Sequence, residues 1–141
     1  MSQMIFLNLP VNDLARSIAF YEAIGATRDA RFCDESTTAC MVFSDNIFVM
    51  LLTHERFAGF TPRKIADAHA TTEVLIFLSR ESREAVDAMV DAAVRAGGVA
   101  DPGPRQEHGF MYGRSFEDPD GHIWEAGWMD VAACAQAQAA A

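Results

Sequence analysis

The chain has 141 residues, half of them hydrophobic, enough for one compact domain or two small modules sharing a core, and this excludes disorder of the whole chain. With 20 acidic residues against 11 Lys and Arg the net charge is -9, which argues against a nucleic-acid partner because phosphate binding needs a basic surface. No run approaches the roughly 18 apolar residues of a membrane span, and Met1-Ser2-Gln3-Met4 carries no basic segment ahead of an apolar core, so a cytoplasmic protein without a membrane partner is expected.

Met4 to Pro10 alternates, with Ile5, Leu7 and Leu9 on one side and Phe6, Asn8 and Pro10 on the other, which predicts a first strand. Asn12 or Asp13 caps a helix through Leu14, Ile18, Tyr21 and Ile24, ended by Gly25. Strands follow around Ala26 to Phe32, Thr38 to Phe43 and Ile47 to Thr53, the last two joined by a tight Ser44-Asp45-Asn46 turn. Between His54 and Thr72 the pattern breaks, and Thr61-Pro62 predicts the cap and first residue of a short helix over Arg63 to Ala68. Glu73 to Leu78 resumes strand character. Ser82 then caps the strongest helix, with Ala85, Val86, Met89, Val90, Ala93 and Val94 on one face and Gly97-Gly98 at its end. Val99-Ala100 is a short strand before Pro102-Gly103-Pro104, and Phe110 to Phe116 and Ile123 to Trp128 form a hairpin around Asp118-Pro119-Asp120-Gly121. The Ala-rich end offers no distinct apolar face and is expected to be a frayed tail. Cys33, Cys40 and Cys134 have no metal-knuckle spacing and are read as ordinary small residues in a reducing compartment.

The element order is β-α-β-β-β, given twice. Gly25 and Gly97 both end helices, and Asn46-Ile47-Phe48-Val49 lines up with His122-Ile123-Trp124-Glu125, a spacing that suits a duplicated half-domain. The expected organisation is a first module over residues 1–53, a crossover over 54–72, a second module over 73–129 and an Ala-rich tail over 130–141.

Leu9-Pro10-Val11-Asn12-Asp13-Leu14-Ala15-Arg16-Ser17-Ile18-Ala19-Phe20-Tyr21, Ala96-Gly97-Gly98 and Phe116 to Glu125 together resemble the vicinal oxygen chelate superfamily. That family holds glyoxalase I, bleomycin-resistance proteins, fosfomycin-resistance enzymes and extradiol dioxygenases, and the chain is most similar to its glyoxalase-like, lactoylglutathione lyase-like group. The resemblance implies an α+β fold in which two βαβββ modules form a half-open barrel around a cup for a metal or a ligand, and a homodimer. Its metal enzymes take ligands from the first and last strands of each module. Carried over, those positions are Phe6, then Val49 or Met50, then Leu75 with Glu73 in another register, and Glu125. A divalent metal is thus implied by the family, while the ligand set here is incomplete, with Glu125 alone secure.

Alternation puts Glu125 opposite Trp124 and Trp128, and since the tryptophans must pack, Glu125 is expected to face the cup as a base or metal ligand. Asn8 and Phe6 share one face of the first strand and are expected to touch a ligand, as is Val49. His108 is a candidate acid or base. Tyr112 and Arg114 share a face with Phe110 and Phe116, and are candidate contacts for an anionic or aromatic ligand. His54, His69 and His122 are expected to be solvated. The expected function is binding of a small organic molecule, with a lyase or isomerase reaction through Glu125. The alternative is a metal-free module that sequesters its ligand, as bleomycin-resistance proteins do.

Overall fold

The computed structural model describes residues 3–34 and 36–140. Met1 and Ser2, part of the expected leaderless N-terminus, lie outside the described residues, as do Glu35 and Ala141, the last residue of the Ala-rich tail. The chain forms two units, one reaching to Thr71 and including Pro119–Gly121, the other covering Thr72–Asp118 and continuing from His122.

In the first unit, strand β1 (Ile5–Val11) leads into helix α1 (Leu14–Ala23). Asp13 starts the helix because its extended backbone lets Oδ1 accept from the Arg16 amide at 3.0 Å. Gly25, at φ 114°, ends it in a conformation a side chain would disfavour. Strands β2 (Thr27–Arg28), β3 (Thr38–Ser44) and β4 (Ile47–Thr53) complete a sheet in the order β1-β4-β3-β2, in which only β1 and β4 run parallel. Leu9 and Leu51 are register partners, as are Val49 and Met41, and all four are buried on the side that α1 covers with Phe20 and Tyr21. The strand expected from Ala26 to Phe32 is shorter than its composition suggests. After Arg28 the Asp29 carboxylate accepts from the Arg31 amide and guanidinium and caps a 3-10 turn over Ala30–Phe32.

A short helix α2 (His54–Ala58) follows β4, capped by the Thr53 hydroxyl. The helix expected over Arg63 to Ala68 is absent among the described residues. Thr61 does bond the Arg63 amide, but the chain makes only a bend there. Asp120 is buried in the same unit. Its Oδ1 accepts from the Asn12 amide at 2.8 Å and its Oδ2 from the Ser17 hydroxyl at 3.2 Å, with Arg16 Nη2 at 3.9 Å, so the carboxylate closes the start of α1. Gly121, at φ 90°, passes so close to His69 and Ala68 that a Cβ would lie 2.8 Å from the His69 nitrogen.

The second unit repeats the plan with β5 (Ile76–Ser79), α3 (Arg83–Arg95), β6 (Val99–Ala100), β7 (Gln106–His108), β8 (Met111–Glu117) and β9 (Ile123–Met129), then α4 (Val131–Ala140). The sheet order is β5-β9-β8-β6, with β7 also on β8. Ser82 caps α3 through the Ala85 amide, and Gly97 at φ 101° ends it as Gly98 donates back to the Ala93 carbonyl. Val86, Met89, Val90 and Ala93 are buried, while Val94, assigned to the same face by periodicity, is 46% exposed. Trp124 and Phe116, both fully buried, are register partners under this helix. The Ala-rich end is a helix capped by Asp130, and residues 131–139 include no buried one. No described helix is long and apolar enough to cross a membrane.

Arg114, 8% exposed, joins this face to the loop and the helix. It donates to Asp101 through Nε at 3.1 Å and Nη2 at 2.8 Å, and to Asp87 of α3 through Nη1 at 2.9 Å; the Tyr112 hydroxyl donates to the same Asp87 oxygen at 2.6 Å. This clamp also holds Asp101 at φ 53°, left-handed for a residue with a side chain. The Arg114 hydrogen bond to Asp101 lowers the carboxyl pKa there; at Asp87 the Tyr112 hydrogen bond, then that of Arg114, does the same. Burial, then the Asp87 hydrogen bond, raises the Tyr112 phenol.

Two predictions follow from these buried groups. Asp120→Ala leaves the Asn12 amide and Ser17 hydroxyl without their acceptor and is expected to cost about 3 kcal/mol, a melting temperature lower by roughly 10 °C in calorimetry. Because both carboxyls around Arg114 are depressed when folded, their contribution is complete above the unfolded value of 3.8 and is lost as pH falls below it. The stability difference between wild type and Arg114→Met, measured by urea unfolding, should therefore hold constant from about pH 7 to 5 and shrink from about pH 4 downward.

Candidate functional site

Alternation gives each sheet one face packed against its long helix and a second face that is only partly exposed, and the site candidates separate according to that division. In the second unit Glu125 pairs with Ser115 on β8 and with Phe77 on β5, so these side chains share the face away from α3. Phe77 is 46% exposed, and its ring occupies the space that a Cβ at Gly127 would fill. Glycine at 127 is what lets the ring lie across β9 beside Glu125. The Ser115 hydroxyl is occupied, accepting from the Gly103 amide at 3.0 Å. Glu125 itself is half-buried, and among the described residues none donates a hydrogen bond to its carboxylate or forms an ion pair with it.

Tyr112 and Arg114 do not join Glu125. Their register partners are Trp128 and Ala126, which alternate with Glu125, so both side chains point to the α3 side and are engaged with Asp87 and Asp101. This corrects their expected place beside the acid. His108 pairs with Met111 and so belongs to the Glu125 side of the sheet, stacked on Phe110 at 6.0 Å. Met111 and Ser115 are four residues apart on β8, about 13 Å at the usual strand rise, too far for His108 to exchange a proton directly with Glu125.

In the first unit the second face carries Phe6, Asn8, Phe48 and Met50, while Cys40 and Leu52 on the same face are buried. Phe6 and Phe48 are register partners whose rings stack at 4.6 Å and 12°, and Phe6 is 42% exposed. Asn8 pairs with Met50 and is exposed. Val49, expected to touch a ligand, is fully buried on the α1 side, and its neighbour Met50 is the residue that shares the face of Asn8. Phe77, Gly127 and Phe48 were not singled out by sequence. An isolated Gly in a strand marks a close approach by another group, and Gly127 was the signal that could have found Phe77.

The four positions that the family resemblance assigns to a metal hold Phe6, Val49 or Met50, Leu75 and Glu125, a single oxygen donor among apolar groups. No group of three or more His, Cys, Asp or Glu among the described residues could hold a metal ion. A catalytic divalent metal, which needs about three protein ligands, does not fit this donor set.

Comparison with solved structures finds the same fold in several proteins. A hypothetical protein, SA1046, from S. aureus is 26% identical with a TM-score of 0.74, over 91% of this chain and 94% of that one. The genomically encoded fosfomycin resistance protein FosX from Listeria monocytogenes is 18% identical with a TM-score of 0.66, over 94% and 97%. TnmS3, an antibiotic binding protein from Streptomyces sp. CB03234, is 19% identical with a TM-score of 0.61, over 92% and 98%. A search of curated protein sequences found no match. Residues 3–126 match the family of that fold, and the chain belongs to the Glyoxalase/Bleomycin resistance protein/Dioxygenase superfamily.

Proposed function

We propose that this chain binds a small organic molecule against the open sheet face that carries Glu125. The observation that carries this reading is the Glu125 carboxylate, half-buried beside the Phe77 ring and without a donor among the described residues. A charged group in that position gains from a ligand that brings its own donor. In the first unit, taken by itself, Asn8 and Phe6 share a strand face and are the candidate contacts of that face. If the ligand is turned over, Glu125 is the base that removes a proton from carbon, and the reaction class is a lyase or isomerase.

A second reading, sequestration without chemistry, is favoured by the apolar groups at Phe6 and Met50 and by the isolation of Glu125 from His108. A similar fold serves an antibiotic binding protein. Both readings place the chain in the cytoplasm, where three free thiols persist. They also suit a homodimer, because β1 is an edge strand with Ile5 exposed.

Ligand-observed NMR against a library of small organic molecules is expected to yield binders whose affinity falls about tenfold or more in Glu125→Gln, with an unchanged circular dichroism spectrum. Binders that Glu125→Gln retains in full would overturn the assignment. Where a binder is also converted, the same variant should lower turnover by about 10²- to 10⁴-fold, and binding without conversion selects sequestration. Sedimentation at micromolar concentration should give twice the 15.4 kDa chain mass, and a 15.4 kDa species would refute the dimer.

A further inference from the structure

We infer that the ligand of the Glu125 face is an organic cation, a protonated amine or quaternary ammonium on an apolar body; this rests on the ligand-binding reading above and names its charge class.

The charges of the second unit divide across its sheet. Arg114 lies on the α3 side, tied to Asp87 and Asp101, and Arg105 also reaches Asp101. Arg83 is paired with Glu107 and lies over the rings of Tyr112, at 5.3 Å, and Trp128, at 5.2 Å, again on the helix side. Three arginines are thus held by partners on the face that Glu125 does not share. The open face keeps a carboxylate without an ion-pair partner among the described residues.

Beside that carboxylate stands an aromatic ring. Phe77 is the register partner of Glu125 and its ring extends over Gly127, two residues along the same face, about 7 Å at the usual strand rise. With 46% of Phe77 exposed, its ring surface is available beside the acid. A carboxylate attracts a cation by charge, and a ring face attracts it through its quadrupole. An anion would meet repulsion from the same carboxylate. A neutral apolar molecule would strip water from Glu125 and return no hydrogen bond, which costs more than its own burial recovers. The chain's net charge of -9 adds a field that draws cations in and repels anions.

The test uses the full chain and four probes with one body and three charges: benzylammonium, benzyltrimethylammonium, benzyl alcohol and benzoate, titrated by calorimetry and followed by amide chemical shifts. The cations are expected to bind about tenfold or more tightly than benzyl alcohol, to shift the amides of Phe77, Glu125 and Gly127, and to weaken as salt is raised. Benzoate is expected not to bind there. Glu125→Gln should remove most of the cation preference by weakening the cations far more than benzyl alcohol, and Phe77→Ala should weaken benzyltrimethylammonium more than benzyl alcohol. Cation binding indifferent to Glu125→Gln overturns the inference. So does tighter binding of benzyl alcohol or benzoate at these amides, but that result leaves the ligand-binding reading standing. Absence of binding by every probe counts against both.

Discussion

Each sheet in this protein packs one face against a long helix, α1 or α3, and that packing governs what every strand residue can do. Side chains alternate along a strand, so a helix that buries Val49 and Leu51, or Trp124 and Ala126, leaves the intervening positions to the other face. Apolar burial thereby fixes the register, and the register decides which polar groups meet. In the second unit the alternation passes through a single hairpin and separates two opposite charges in neighbouring strands. Arg114, partnered with Ala126, and Glu125, partnered with Ser115, point to opposite sides.

The fold was legible because its signals are local. Asp13 and Ser82 cap helices, Gly25 and Gly97 end them, and the period of the apolar residues changes where helix gives way to strand. The errors fell where a side chain competed with the backbone. Asp29 looked like part of a strand, but its carboxylate holds Arg31 and turns the chain into a 3-10 segment. Thr53 caps a helix, α2, that begins where the strand pattern was expected to dissolve, while the Thr61-Pro62 pair, a good start signal, has too few apolar contacts behind it to propagate.

The site was less legible, because it depends on registers between strands distant from one another in sequence. Counting from the turns aligned Val49 with Glu125. The turns differ, however: Ser44 and Ile47 enclose two residues, Glu117 and Ile123 enclose five, and a register shift lies between Val42 and Ser44. Parity counted from the turn is therefore lost, and Met50, rather than Val49, shares the open face. Tyr112 and Arg114 were misplaced for a related reason. They were read along their own strand, whereas pairing Phe116 with Trp124 puts their whole row with the tryptophans. That pairing follows from burying both rings, a constraint present in the sequence once the two strands are considered together.

The separation of Arg114 from Glu125 explains how an acid can persist half-buried on a sheet. Had the hairpin paired one residue out of register, Arg114 would face Glu125 and neutralise it, and Asp87 and Asp101 would lose their shared cation. The observed register satisfies both: two carboxylates and a phenol surround the guanidinium on the helix side, where the loop at Asp101 and α3 need an anchor. On the other side, the Glu125 carboxylate is left beside the Phe77 ring. One strand pairing thus provides stability on one face and an unspent charge on the other, and the first unit has no such charge because Phe48 and Met50 occupy the corresponding open row. The two halves share a fold through their helix-covered faces and differ in chemistry through their open ones.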